Sequence, residues 1–358
     1  MKERNGLHKL LSDSKLRIAL ILFVLLAIAP LFLSEFRANL LGKFICYAIL
    51  ALGIDLIWGY TGILSLGHGL YFGLGAYCMG MYLKLEASKG TLPDFMKWSG
   101  LKELPGFWQP FRSPVFAIFM ALLVPTVLAS IIGLLTFRNR IKGVYFSILS
   151  QALALIATTL IIGQQPYTGG SNGLTGLLTI FGHSLSSRST KQALYYISLL
   201  VLVLSYGLCY VIVSRRTGKI ITAIRDSENR VRFTGYNPTV YKVFVYALSA
   251  LLAGIAGALY ITQVGIISPT DMTVVASVEM VIWVAIGGKG TLTGAIIGTI
   301  LINYTKNLVS ESFPDIWSYF IGLAFILVML FMPKGIAGLA EKLKKPEQPR
   351  SLNLIEIK

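Results

Sequence analysis

Ten apolar stretches divide this chain, most of them near the length that crosses a bilayer, and no other feature of the sequence constrains the fold as strongly. They cover residues 18–34, 39–59, 64–83, 115–136, 143–163, 193–213, 240–261, 274–288, 293–309 and 316–333. A helix crosses the hydrocarbon layer with roughly 20 apolar residues. The third, eighth and ninth stretches are short or rich in glycine, so each of them is a candidate for a broken or re-entrant helix. Only 13 % of residues are charged and 55 % are hydrophobic. An ordinary soluble domain is roughly 25 % charged. Mean hydropathy is +0.70. So few charges cannot coat a soluble surface of this size. The predicted class is an all-α, polytopic membrane bundle of about ten hydrophobic segments, eight to ten of them full spans.

Charge sets the expected orientation. The formal net charge is +16, which in a soluble protein would suggest nucleic acid. In a membrane protein, basic residues collect in cytoplasmic loops. With the N-terminus inside, connections 60–63, 137–142, 214–239 and 289–292 and the tail from 334 fall on the cytoplasmic side. Loop 137–142 reads Phe-Arg-Asn-Arg-Ile-Lys, and loop 214–239 carries six Arg and Lys residues against Asp226 and Glu228. The opposite loops are poorer in cations. The division is a cytoplasmic tail at 1–17, a transmembrane region at 18–333 with 214–239 as its long cytoplasmic loop, and a cytoplasmic tail at 334–358. No small-x-small cleavage site follows the first stretch, which reads as an uncleaved anchor. The long outer loops, 84–114 and 164–192, are either docking surface for a soluble partner or plain connections.

Catalytic and metal chemistry find no support. No GxxxxGK[ST], HExxH or GxSxG occurs, and His8, His68 and His183 lack neighbours at ligand spacing. Cys46, Cys78 and Cys209 lie in apolar stretches and read as packing residues. Neither an enzyme nor a cofactor is expected.

The informative residues are glycines and intramembrane polar groups. The 35 glycines cluster at 62–75 and 287–298. Gly67, Gly69 and Gly73, and then Gly287, Gly288, Gly290, Gly294 and Gly298, serve either close helix packing or helix breaks beside a cavity. Ionisable groups inside apolar stretches are Asp55, His68, Glu279 and Lys306. Such groups are expensive in lipid and should face protein or water. Glu279 is the leading candidate for lining a pathway, with Gln151, His68 and Trp283 behind it; the alternative for each is a hydrogen-bonded packing role. Lys43, Lys242 and Lys306 lie near enough to span ends to snorkel, and no clear intramembrane charge pair is visible. In loop 214–239, residues 219–233 suit a basic amphipathic helix ended by Gly235 and Pro238, lying on lipid or in a partner's groove.

Four motifs now carry a resemblance. They are Gly62-Ile-Leu-Ser-Leu-Gly67-His68-Gly69, Thr217-Gly218-Lys219 through Ala223-Ile224-Arg225-Asp226-Ser227-Glu228 to Gly235, Ala253-Gly254-Ile-Ala-Gly257-Ala258-Leu-Tyr260, and Gly287-Gly288-Lys-Gly290-Thr-Leu-Thr-Gly294. Over roughly 40–335 the chain resembles the permease subunits of branched-chain amino-acid type ABC importers. Leu92-Pro93-Asp94-Phe95-Met96, Gly169-Gly170-Ser171-Asn172-Gly173-Leu174-Thr175 and Gln263-Val264-Gly265-Ile266-Ile267-Ser268-Pro269 resemble the urea importers within that family. The resemblance implies urea as substrate, with Leu, Ile and Val as the alternative; a stand-alone channel or secondary transporter is the rival class. It implies a bacterial inner membrane, a second homologous permease, two cytoplasmic ATP-binding subunits and an extracytoplasmic solute-binding protein. Gly218, Ala223, Ile224, Arg225, Asp226, Glu228 and Gly235 would then couple to the ATPase, with Ile224 as an apolar anchor in that contact.

Overall fold

The computed structural model describes residues 14–313 and scattered positions between 319 and 338. The tenth apolar stretch and both predicted tails therefore lie wholly or largely outside the described residues. The apolar runs fold as helices: α1 (Ser14–Phe32), α2 (Glu35–Ile54), α3 (His68–Ala87), α4 (Pro114–Arg138), α5 (Val144–Gly163), α6 (Arg188–Ser214), α7 (Arg216–Phe233), α8 (Pro238–Val264), α9 (Val274–Gly287) and α10 (Leu292–Ser312). Five are long and apolar enough to span a membrane: α4, α5, α6, α8, and α2 together with the π-helical turn Asp55–Tyr60 that continues it. The chain is an all-α polytopic membrane protein.

The eighth and ninth stretches, read from sequence as candidates for broken or re-entrant helices, form one pair, α9 and α10, bent by 118° at residues 288–291. With 14 residues, α9 is about 21 Å long, too short for a hydrocarbon layer of about 30 Å. Gly288 and Gly290, at φ 115° and 78°, supply the backbone conformations of the break.

The bundle is organised on α8, which packs against α3, α4 and α2. Small residues allow that close approach. A Cβ at Gly75 would strike the Gly254 backbone, and one at Gly257 would strike the carbonyl of Phe72. Without a hydrophobic drive between helices in lipid, such close van der Waals packing holds them. Around the hub, α4, α5 and α6 turn Leu135, Leu155, Leu160, Leu200 and Leu204 outward.

The connections gather at two ends. At one end Lys84 Nζ donates to Thr175 O (2.9 Å), Trp108 Nε1 donates to Tyr167 O (3.0 Å), and Glu86 accepts from the Phe181 and Gly182 amides. Gly182 lies in the turn of a small hairpin, β1 (Thr179–Ile180) with β2 (His183–Ser184). The two long loops predicted to share a side are thus joined. At the other end lie the π-turn, α7 and the breaks at 139–143 and 288–291. This alternation matches the one drawn from loop charge.

Candidate functional site

Two constructions concentrate polar groups. The first is a cavity of about 340 Å³ between α2, α8 and the bent pair. Glu279 and Lys306 face each other there, with Lys306 Nζ 2.8 and 3.1 Å from the two carboxylate oxygens. Their side chains keep 24 % and 30 % of their accessible surface, so the pair opens to the cavity instead of being sealed in packing. Lys43 Nζ stands 5.6 Å from the ring of Tyr47 and 5.7 Å from that of Tyr260, within cation–π range. Trp283 closes on Tyr47 at 4.7 Å. Asp271 lines the same space and accepts from the Ser268 amide at 3.1 Å.

The expectation of no intramembrane charge pair is therefore corrected. Glu279 and Lys306 are 27 residues apart, and only the 288–291 bend brings them together. Lys306 does not snorkel away from Glu279. Lys43 and Asp271 complete the charged lining and were not identified as site residues from sequence. The available signal was opposite charges in two consecutive apolar stretches joined by glycines.

Glu279 and Trp283 line this cavity, whereas Gln151 and His68 do not. Gln151 lies half-buried on α5. His68 is fully buried, 2.6 Å from Ser249 Oγ. Ser249 gives its one hydroxyl proton to Gly53 O (2.8 Å), so His68 Nε2 is the donor of the pair. Beside it Tyr71 and Tyr246 share a hydroxyl contact of 2.6 Å. The surroundings of His68 are a packing network.

The glycines divide between the two roles expected of them. A Cβ on Gly67 would strike Ser150 O, one on Gly69 would meet Ser277, and one on Gly73 would overlap Met272. Gly287, Gly294 and Gly298 press α9 and α10 together. Only Gly288 and Gly290 make the break.

The second construction sits at the end that holds α7. This helix covers Arg216–Phe233, with Ser227 at φ −160°, ψ 93° kinking it. Gly218 packs on the Val213 carbonyl, and Ile221, Ile224 and Val231 are buried against the bundle. Ile224 is only 4 % exposed, which corrects its expected role as an apolar anchor for the ATPase: the chain covers the apolar face of α7 itself. The residues left outward are Arg216, Lys219, Ala223, Arg225, Asp226, Asn229 and Arg230, with Phe233 at 91 % exposure. Beyond them Gly235, at φ 85°, ends the helix region.

One hydrogen bond from Arg225 ties α7 to the π-turn, and a second, from the π-turn, reaches the 288–291 break. Arg225 Nη1 donates to Gly59 O at 2.8 Å, and its Nε donates to Asp226 at 3.1 Å. Asp55 Oδ1 accepts from the Gly290 amide at 2.6 Å. Gly59, which passes Arg225 to the π-turn, lies directly against Gly290. π-Turns inside helices are common at functional positions. Alongside, Glu228 is held by Lys242 (2.6 Å), Arg232 (2.8 Å) and Lys142 (2.9 Å). Burial alone would raise the Glu228 carboxyl, but these three cations outweigh it and bring it from 4.5 down to about 2.

A helical bundle in lipid with a charged cavity among its spans, and a basic helix bracketed to its backbone at one end, is the architecture of a transport permease. The chain belongs to the family described as "Branched-chain amino acid transport system / permease component", which matches residues 36–330. It is 26 % identical to the high-affinity branched-chain amino acid transport system permease protein LivM of Salmonella typhimurium, over 91 % of this chain and 76 % of that protein. It is 23 % identical to the corresponding BraD of Pseudomonas aeruginosa, over 82 % of this chain and 92 % of that one. It is also 24 % identical to the ribose import permease protein RbsC of Haemophilus influenzae, over 61 % and 67 %. All three are named permeases, which agrees with a transport subunit rather than an enzyme; none is named for urea. No solved structure matches the chain.

Proposed function

We propose that this chain is one half of the translocation path of an ATP-driven importer in a bacterial inner membrane. A second, homologous permease supplies the other half. Two cytoplasmic ATP-binding subunits dock at the end carrying α7, and an extracytoplasmic solute-binding protein delivers substrate to the loops 88–113 and 164–187. The observation that carries this reading is the set of bonds from α7 to the π-turn and from the π-turn to the 288–291 break. A partner that moves α7 thereby acts on the wall of the polar cavity.

The substrate proposed first is a branched-chain amino acid, in line with the relatives LivM and BraD. Urea is the second reading, and it rests on a specific observation. Two of the segments that resemble urea permeases, 169–175 and 263–269, meet through the paired backbones of Leu174 and Ile267. The test is uptake by cells expressing the complete transporter, with labelled leucine and labelled urea in parallel, and with an ATPase-dead variant as background. ATP-dependent accumulation of one solute selects it. Accumulation of neither refutes the substrate reading.

A further inference from the structure

We infer that the cavity between α2, α8 and the bent pair α9–α10 is a transit site for a small solute that presents N–H donors and an oxygen acceptor together. Glu279 and Asp271 take the N–H groups, and Lys306 and Lys43 donate to the oxygen. The site deepens the importer reading and rests on it. A leucine zwitterion and a urea molecule both offer this chemistry, so the experiment has an arm for each.

Three observations support the assignment. First, charge at this depth is expensive unless it has a use or a seal. This chain itself does not close over the Glu279–Lys306 pair, since both side chains keep about a quarter to a third of their surface. A pair kept only for helix packing would gain from closure, because water competes for the same hydrogen bonds.

Second, the lining holds two cations and two anions, Lys43 with Lys306 and Asp271 with Glu279. A lining of one sign would trap an ion. A balanced one lets a solute exchange the existing ion pair for two new bonds, its N–H to Glu279 and its oxygen to Lys306, so that each charged group keeps a hydrogen-bond partner. Release is the reverse exchange, with the ion pair formed again. A transport site needs that reversibility, because binding has to permit release.

Third, the space suits the solute. A volume of about 340 Å³ lies at the lower end of small-molecule pockets, about 300–1,000 Å³. Tyr47 and Tyr260 stack at 5.3 Å and Trp283 adjoins them. These rings give an apolar surface for an aliphatic side chain or for the face of a planar amide.

The test uses the complete transporter in proteoliposomes, with Cys46, Cys78 and Cys209 replaced by Ala and with the single substitution Ala276→Cys. Ala276 lines the cavity without joining its hydrogen bonds. Labelling by a small hydrophilic thiol reagent is followed with no solute, with saturating leucine and with saturating urea. The transported solute should slow labelling at least fivefold, and the other should not. In parallel, Glu279→Gln and Lys43→Met should each raise the KM for that solute at least tenfold while ATP hydrolysis by the assembled complex persists. A purely structural pair would alter yield or thermal stability and leave KM in place. Where a charge variant fails to assemble, the protection arm still decides. Uptake without protection of the Ala276→Cys thiol, or unchanged KM in both assembled variants, overturns the site while leaving the importer reading intact. Uptake of neither solute by the otherwise unaltered complex overturns the functional reading beneath it.

Discussion

Gly59→Ala is the sharpest probe of the link between α7 and the cavity wall. Gly59 sits in the π-turn, and its φ is not positive, so alanine brings no backbone strain. The cost is steric. The new methyl would lie on the Gly290 amide nitrogen and on Asp55 Oδ1, with Gly290 Cα at 2.8 Å. These atoms are main chain or the end of a fully buried aspartate, so none can swing aside. Overpacking of this kind costs about 1–3 kcal/mol. Separating Asp55 from the Gly290 amide leaves a buried donor and acceptor unpaired, about 1–3 kcal/mol more. The sum is about 2–6 kcal/mol, or a melting point lower by roughly 4–20 °C. The assay is thermal unfolding of the purified complex in detergent, followed by coupled ATP hydrolysis. The control is Gly207→Ala on α6, where nothing lies within 4 Å of the added Cβ and a helical alanine is neutral or slightly favourable. Equal melting points for the two variants would refute the close approach of the π-turn to the 288–291 break.

Other outcomes follow from the environment of α7. Ile224→Asp places a carboxylate in the bundle and should abolish stable protein, by yield and melting point. Phe233→Ser is expected to leave stability within about 0.5 kcal/mol, yet to weaken co-purification of the ATP-binding subunits by about 2 kcal/mol or more, as loss of an exposed aromatic anchor does. Glu228, depressed from 4.5 to about 2, contributes stability that is fully present above the unfolded value of 4.5 and is lost as pH falls toward 2. The melting-point gap between wild type and Glu228→Gln should therefore hold steady from pH 8 to pH 5 and close below it. A gap that survives at pH 2 would show that the carboxylate's charge is not what matters.

Much of the fold was legible because lipid leaves a sequence little choice. An apolar run such as Pro114–Arg138 has one stable form there, and loop cations such as Arg138 and Lys142 mark which ends share a side. What failed was depth and partnership. Lys306 near a span end is compatible both with reaching water and with reaching Glu279. The choice depends on a bend whose existence the glycines suggest but whose 118° they do not specify. Ile224 failed for a related reason. An amphipathic periodicity identifies an apolar face and is silent on what covers it. Here the bundle covers that face, and Phe233, at the helix end and off the stripe, is the aromatic left outside. Asp55 is legible as a costly ionisable group in an apolar stretch, but its partner, a backbone amide 235 residues away, is not, because only the fold brings the two together.

The order of these contacts bears on how motion travels. Arg225 reaches a backbone carbonyl, and Asp55 reaches a backbone amide. A shift of α7 larger than the Arg225 side chain can follow must therefore break the Arg225–Gly59 bond, at about 1.5–3 kcal/mol, or carry the π-turn with it. The π-turn lies against Gly290 without intervening side-chain volume, so it cannot move far without displacing residues 288–291. That segment joins the helix bearing Glu279 to the helix bearing Lys306. A rotation there changes the separation of the two charges directly, since each is fixed to its own arm of the bend. The distance between them, 2.8 Å in this arrangement, is thus the quantity in the cavity most exposed to events at α7.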